Sequence, residues 1–184
     1  MIEQSQIEKA ILTLAQGGVI AYPTESVYGL GCDPANQQAL SKILQIKNRQ
    51  PDKGLIILVS DILQAENYIQ PLSDSQLEKI TQTFERATTW LLPAKLGISE
   101  ILTGGSDRIA VRITQHPVAR SLCELSQSAL VSTSCNLSGE KELINANQVR
   151  NSMGDVLDMI VDADVGGQPP SRIIDLQSGK ILRE

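Results

Sequence analysis

Apolar residues at Ile7, Ile11, Leu12 and Leu14 fall near a helical repeat that Gly17-Gly18 interrupts, which predicts an amphipathic helix over 4–16. The run Val19-Ile20-Ala21-Tyr22 then reads as a short strand. A second helix follows, capped by Asn36, with Ala39, Leu40, Ile43, Leu44 and Lys47 on one face and its end before Pro51. Residues 55–60, LIILVS, form a buried strand, and Asp61 caps the next helical turn. Leu77, Ile80 and Phe84 predict a helix over 74–86. The stretch after it, rich in Thr, Pro and Gly, reads as irregular.

The alternation in RIAVRI is clear. It sets Ile109, Val111 and Ile113 on one side of a strand and Arg108, Ala110 and Arg112 on the other. Pro117 opens a helix running to about Ser126. A strand at ALVSTS, a helix near 146–152, a strand near 156–161 and a final pair at RIID and KILR complete the chain. Strands alternating with helices indicate an α/β fold. The hairpin-like end makes it a twisted, open, mixed sheet flanked by helices, in one domain over 1–184.

Composition narrows the function classes. Aromatic residues make up 3% of the chain, which weakens any scheme built on stacking bases. The longest apolar run, 55–59, is far below the roughly twenty residues of a membrane span, and the amino terminus has no basic segment followed by an apolar one. A cytoplasmic protein without membrane contact is the expectation. Cys32, Cys123 and Cys135 are widely spaced and lack a C-x-x-C pair, so reduced, packed thiols are expected and no metal site. The net charge of −5 disfavours broad binding to a polyanion. Residues 151–170 carry four Asp and no Lys or Arg, whereas KNRQPDKG gathers Lys47, Arg49 and Lys53, a local basic site suited to a small anion.

Three polar clusters sit at the carboxyl ends of predicted strands, where open α/β sheets place their ligands: Thr24-Glu25-Ser26, the Arg112 strand, and Ser132-Thr133-Ser134 with Asn136 and Ser138. Ser132, Ser134 and Asn136 form either a hydrogen-bonding comb for ribose, phosphate or a zwitterion, or a capped turn. Lys47, Arg49 and Lys53 either hold a triphosphate or line a solvated loop. Arg112, enclosed among apolar residues, needs a fixed anion, either a core carboxylate or a substrate's. His116, the single histidine, precedes Pro117 and fits a structural role at a helix start better than a triad or a metal. No Walker A pattern is present, so a nucleotide would be held without a P-loop.

Taken in order, YPTESVYGLGCDP, KNRQPDKGLIIL, IAVRITQHP and STSCNLSG resemble the YrdC-like family of threonylcarbamoyl-AMP synthases over about residues 7–183. The resemblance implies a concave cavity and the reaction of L-threonine, bicarbonate and ATP to threonylcarbamoyl-AMP and pyrophosphate, serving threonylcarbamoyladenosine modification of tRNA. It implies threonine contacts at Thr24, Arg112 and Ser132, and ATP contacts at Arg49, Lys53, Ser134, Asn136 and Ser171. Lys47 and Arg49 of the K-x-R pattern would be the catalytic pair. Mg2+ would be held mainly by the nucleotide, and the product would pass to a downstream threonylcarbamoyl transferase complex.

On this resemblance Thr24 ends its strand in the cavity, and Gly29 and Gly31 let the backbone turn away. The chain departs from the family pattern at Phe84-Glu85-Arg86-Ala87, where relatives carry Trp-Pro-Gly-Pro and where a longer helix is expected here. It also departs at Cys135 for Ala, at Arg172 for Thr, and at Leu58, where longer members have a His. Two alternatives remain. One is a module binding double-stranded RNA or tRNA without catalysis. The other is a carbamoyl-phosphate-using maturation domain, disfavoured because the accompanying zinc-finger and acylphosphatase-like segments are missing.

Overall fold

Helices α1 (Gln4–Ala15), α2 (Gln37–Lys47), α5 (Pro117–Ser126) and α6 (Ala146–Met153) lie where the apolar periodicity sets them. The Asn36 side chain accepts the Ala39 N–H at 3.0 Å and caps α2, and Pro117 occupies the first turn of α5. Two shorter helices are α3 (Asp74–Thr81) and α4 (Glu100–Thr103). This computed structural model describes residues 3–184.

Among the described residues nine strands make one mixed sheet: β1 (Ile20–Pro23), β2 (Tyr28–Gly31), β3 (Ile56–Val59), β4 (Thr88–Pro93), β5 (Arg108–Ile113), β6 (Leu130–Ser134), β7 (Met159–Ile160), β8 (Arg172–Asp175) and β9 (Ile181–Arg183). Their spatial order is β7-β1-β2-β6-β3-β5-β4-β8-β9, with parallel pairs at β7/β1, β3/β5 and β4/β8.

Alternation in the central strands divides the core between the two faces. Ile57, Val59, Ile109, Val111 and Val131 join Leu40 and Ile43 of α2 in one apolar cluster. On the other face, Leu58 and Leu130 pack with Ile7 and Leu14 of α1 and with Val118 and Leu122 of α5. On that second face the registers align Leu91, Ala110, Ile56 and Ser132 in one row across β4, β5, β3 and β6. This row is the floor of a cavity, and Leu58 lies in the core beside it.

Three expectations are corrected. The helix predicted over 74–86 stops at Thr81, because Gln82 is already extended (ψ 145°). Phe84 instead leaves the helix and packs on Trp90, with ring centroids 5.9 Å apart, so residues 84–87 form no longer helix. The stretch after it is not irregular, since it contains β4 and α4. Gly29 and Gly31 do not turn the chain away, for they lie within β2, which runs back antiparallel to β1.

Their role is close approach. A Cβ on Gly31 would lie 2.6 Å from the Tyr22 ring and 2.7 Å from the Val131 carbonyl oxygen, while the Tyr22 hydroxyl donates to that same oxygen at 2.9 Å. Backbone cannot yield as a flexible side chain can. Gly31→Ala is therefore expected to cost about 1–3 kcal/mol in a urea unfolding experiment, as overpacking does; a midpoint equal to wild type would show that the sheet relaxes there.

Candidate active site

The cavity holds about 480 Å3, within the usual range for small-molecule sites. Segments distant in sequence form it: the turn after β1, the turn after α2, the inner faces of β5 and β6, and the strands β8 and β9. Thr24, Arg49, Lys53, Arg112, Ser132, Ser134 and Ser171 all line it. Arg108 and Ala110 share its wall with Arg112, as the alternation in RIAVRI predicts. The lining carries five cationic side chains against two acidic ones, Asp52 and Glu142, on a chain whose net charge is −5. A local positive field of this kind concentrates small anions.

The cations differ in how far the protein satisfies them. Arg108 lies 3.6 Å from Asp175, and Arg112 lies 3.4 Å from Glu25. Among the described residues, Arg49, Lys53 and Arg183 have no carboxylate within 4 Å. Arg49 Nη2 donates to the Lys53 and Gly54 carbonyls at 3.3 and 3.0 Å, yet its Nε–H is buried with no protein acceptor. A buried donor without a partner costs free energy, and Arg49 reaches the cavity through the rest of its side chain. Burial lowers the Arg49 pKa, with Asp52 acting in the opposite sense. For Arg183, burial acts first and the nearby Arg112 and Arg86 add to it.

Arg112 resolves one of the open alternatives: its anion within the protein is Glu25. Both are buried, at 7% and 5% exposure. Burial alone would raise the Glu25 carboxyl, but Arg112, the Thr114 hydroxyl and the Gln115 N–H outweigh it and hold it below its ordinary value. The guanidinium also donates from Nε to Thr89 Oγ1 at 3.0 Å and from Nη2 to Ser171 Oγ at 2.9 Å. Arg183 Nη2 donates to the same Ser171 oxygen at 2.9 Å.

Lys47 and Asn136 do not line the cavity. Lys47 is buried behind its wall, and its ammonium donates to the carbonyls of Ser134 and Asn136 and to Asn136 Oδ1. Asn136 Nδ2 donates to the Glu140 carbonyl at 2.7 Å. Lys47 thus ties the carboxyl end of β6 to α2 and sets where Ser134 stands. Burial, helped by Arg49, pushes its pKa down to about 8. Arg172 also faces away from the cavity, pairing with Glu184 at 3.1 Å. His116 has its backbone N–H 3.4 Å from Glu25 and its Nε2 3.1 Å from the Asp164 carbonyl, which is a structural placement. The three cysteines are free and buried, and burial raises each thiol pKa.

Arg183, Thr89 and the partnership of Glu25 with Arg112 were not foreseen. Arg183 occupies an alternating position in KILR, but which face it takes depends on the pairing of β9 with β8, which no local pattern shows.

The fold and site define an α/β protein with a cationic, hydroxyl-rich cavity on one face of an open mixed sheet. The chain belongs to the Sua5/YciO/YrdC family, whose profile, described as "Telomere recombination", matches residues 13–184. It is 41% identical over 186 residues to a protein of Pseudoalteromonas translucida named threonylcarbamoyl-AMP synthase, covering all of both chains. A protein of the same name from Vibrio vulnificus is 38% identical over 183 residues, covering 98% of each. Among solved structures, P. abyssi Sua5 complexed with L-threonine superposes with a TM-score of 0.87 at 30% identity, over 95% of this chain and 52% of that one. The chain therefore spans about half the length of the P. abyssi protein. E. coli YciO shares the fold, with a TM-score of 0.82 at 24% identity over 99% of this chain and 90% of that one.

Proposed function

We propose that the protein is a threonylcarbamoyl-AMP synthase, a nucleotidyltransferase that joins L-threonine, bicarbonate and ATP and releases pyrophosphate. The observation that carries this reading is the meeting, in one cavity, of the Thr24, Arg112 and Ser132 cluster with the Arg49, Lys53 and Ser134 cluster. The first suits an amino acid. Arg112 faces its carboxylate, and Thr24 donates its own hydroxyl to the Val27 carbonyl at 2.7 Å, which leaves its oxygen as an acceptor for the amino group. The second suits a triphosphate, with Arg49 and Lys53 side by side in the lining and neither paired to a carboxylate among the described residues. Ser171 joins the two sides by accepting from both Arg112 and Arg183.

In this reaction the neutral threonine amine adds to carbon dioxide or to bicarbonate with loss of water, forming a carbamate. A carbamate oxygen attacks the α-phosphorus in line as the bond to pyrophosphate breaks. The chain's part is to hold the two reactants in contact and to oppose the negative charge of the phosphates with Arg49, Lys53 and Arg183. No nucleophilic side chain is needed. With only Asp52 and Glu142 as acidic residues in the lining, the cavity fits a Mg2+ ion carried by the triphosphate, which would add charge neutralisation there. Lys47 acts from behind the wall, fixing Ser134.

The test is pyrophosphate release from ATP with threonine and bicarbonate omitted in turn. Dependence on both is expected. Release indifferent to threonine would overturn the reading, and retention of double-stranded RNA without ATP, weakening steeply with salt, would favour a nucleic-acid groove instead. Thr24→Ala is expected to raise the KM for threonine roughly tenfold, the worth of one good hydrogen bond to a polar substrate, with the KM for ATP nearly unchanged. Equal changes in both would remove Thr24 from the amino-acid side.

A further inference from the structure

Glu25 follows Thr24 in the turn after β1, yet its side chain leaves the cavity and enters the space between β5 and the start of α5. One carboxylate oxygen is saturated there. Oε1 accepts the Thr114 hydroxyl at 2.7 Å, the Gln115 N–H at 2.9 Å and the His116 N–H at 3.4 Å. The other, Oε2, is turned to Arg112 Nη1 at 3.4 Å. The backbone of the turn is fixed as well, by the Gly166 N–H on the Thr24 carbonyl at 3.0 Å and the Gln168 N–H on the Glu25 carbonyl at 2.8 Å. The carboxylate cannot swing away to follow a mobile arginine.

A guanidinium has five N–H donors in a rigid plane. In Arg112 three have protein acceptors, one each on Glu25, Thr89 and Ser171, drawn from three separate segments of chain. These contacts come from Nε, Nη1 and Nη2, so they fix both the position of the plane and its rotation. One N–H on each terminal nitrogen is left over, and Arg112 lines the cavity. Donors on the two neighbouring terminal nitrogens can meet the two oxygens of one carboxylate. The charge of Arg112 is balanced by Glu25 within the protein, so its affinity for a carboxylate rests more on fixed geometry than on excess charge.

We propose that Glu25 is a positioning residue for the amino-acid substrate: with Thr89 and Ser171 it locks Arg112 before substrate arrives, leaving two N–H donors aimed at the substrate carboxylate. The proposal rests on the reading of Arg112 as the carboxylate contact. Glu25 itself touches no substrate. Because its contacts are all made within the protein, its loss acts on the threonine side and leaves Arg49 and Lys53 unaltered.

The experiment has two arms. In the first, pyrophosphate release is measured against threonine and against ATP for wild type, Glu25→Gln and Thr89→Val. Glu25→Gln can still accept from Thr114 and Gln115 but offers Arg112 no anion. Thr89→Val removes the Nε acceptor at nearly constant volume. Each is expected to raise the KM for threonine, roughly 10- to 100-fold for Glu25→Gln and less for Thr89→Val, with the KM for ATP within about twofold of wild type. A merely structural role would lower the amount of active enzyme and leave both KM values alone, and that result, or an unchanged threonine KM, would overturn the proposal. If Glu25→Gln does not fold, Glu25→Asp, which keeps the charge but draws it back from Arg112, takes its place with the same expected rise in the threonine KM and the same overturning result.

The second arm uses the wild-type protein without ligands. The Arg112 Nε–H resonance, assigned by its absence in Arg112→Lys, is expected to be sharp, slow to exchange and rigid on the nanosecond scale. A mobile, rapidly exchanging Arg112 that orders only when threonine is added would contradict pre-positioning. Should wild type fail to use threonine at all, the functional reading fails, while the second arm, repeated on Glu25→Gln, still reports whether Glu25 fixes the arginine: a resonance as rigid and slow to exchange as in wild type would overturn the proposal.

Discussion

Arg112→Met is expected to lower the stability of the fold by about 3–5 kcal/mol and to remove threonine-dependent turnover, because it leaves the Glu25 carboxylate enclosed without its cation. Glu25 is 5% exposed and sits between β5 and the start of α5, so water cannot readily take the place of the guanidinium. For a chain of this size the loss corresponds to a fall in melting temperature of roughly 6–20 °C. Pairing the change with Glu25→Gln removes the stranded charge and is expected to restore about 1 kcal/mol or more of stability, but no activity.

The same pair has a pH signature. The folded-state pKa of Glu25 lies below the ordinary 4.5, so its stabilising contribution is present above about pH 4.5 and is lost as the pH falls through the folded value. Wild type should therefore show a steeper loss of stability on the acid side than Arg112→Met. A melting temperature within about 2 °C of wild type, with the same acid limb, would mean that Arg112 and Glu25 are not coupled.

Arg49→Ala is expected to reduce kcat/KM for ATP by roughly 10²- to 10³-fold, the range seen when one pre-positioned donor to a developing negative charge is removed. The Nη2 group is engaged by the Lys53 and Gly54 carbonyls, which orients the plane, while Nε–H remains buried and without an acceptor. Arg49→Lys restores a charge but not the planar, oriented donors, and is expected to recover only part of the loss. The threonine KM should stay close to wild type in both variants. A kcat/KM for ATP within about threefold of wild type in Arg49→Ala would remove this residue from the phosphate site.

Much of this architecture was legible along the chain because its signals are local. Asn36 before an apolar repeat and Pro117 at a helix start are capping chemistry within one turn, and both helices lie where those residues put them. The alternation in RIAVRI sorted Arg108 and Arg112 from Ile109 and Val111, and the sheet keeps that division. What was not legible depends on partners distant in sequence. β2 contains two glycines that read as a turn until Tyr22 and Val131 are seen pressed against them. β4 lay hidden among threonines and Pro93, and with it Thr89, an acceptor of Arg112. Phe84 continued the helical repeat of Leu77 and Ile80, but the contact with Trp90 on β4 took it out of the helix.

The site divides in the same way. Side-chain types and spacing marked Thr24, Arg49, Lys53, Arg112, Ser132 and Ser134, the family resemblance added Ser171 and the cavity, and all seven line it. Charge alone could not tell that the ammonium of Lys47 turns inward to the Ser134 and Asn136 carbonyls, nor that Arg183 would arrive from the pairing of β9 with β8.

The central claim is that one hollow holds an amino acid and a nucleotide together. It is tested most directly by a structure of the protein with L-threonine and a non-hydrolysable ATP analogue added at once. The threonine carboxylate is expected against Arg112, its amino group near Thr24, and the phosphates against Arg49 and Lys53, both ligands in the same molecule. Ligands on separate surfaces, or two that exclude each other, would contradict it.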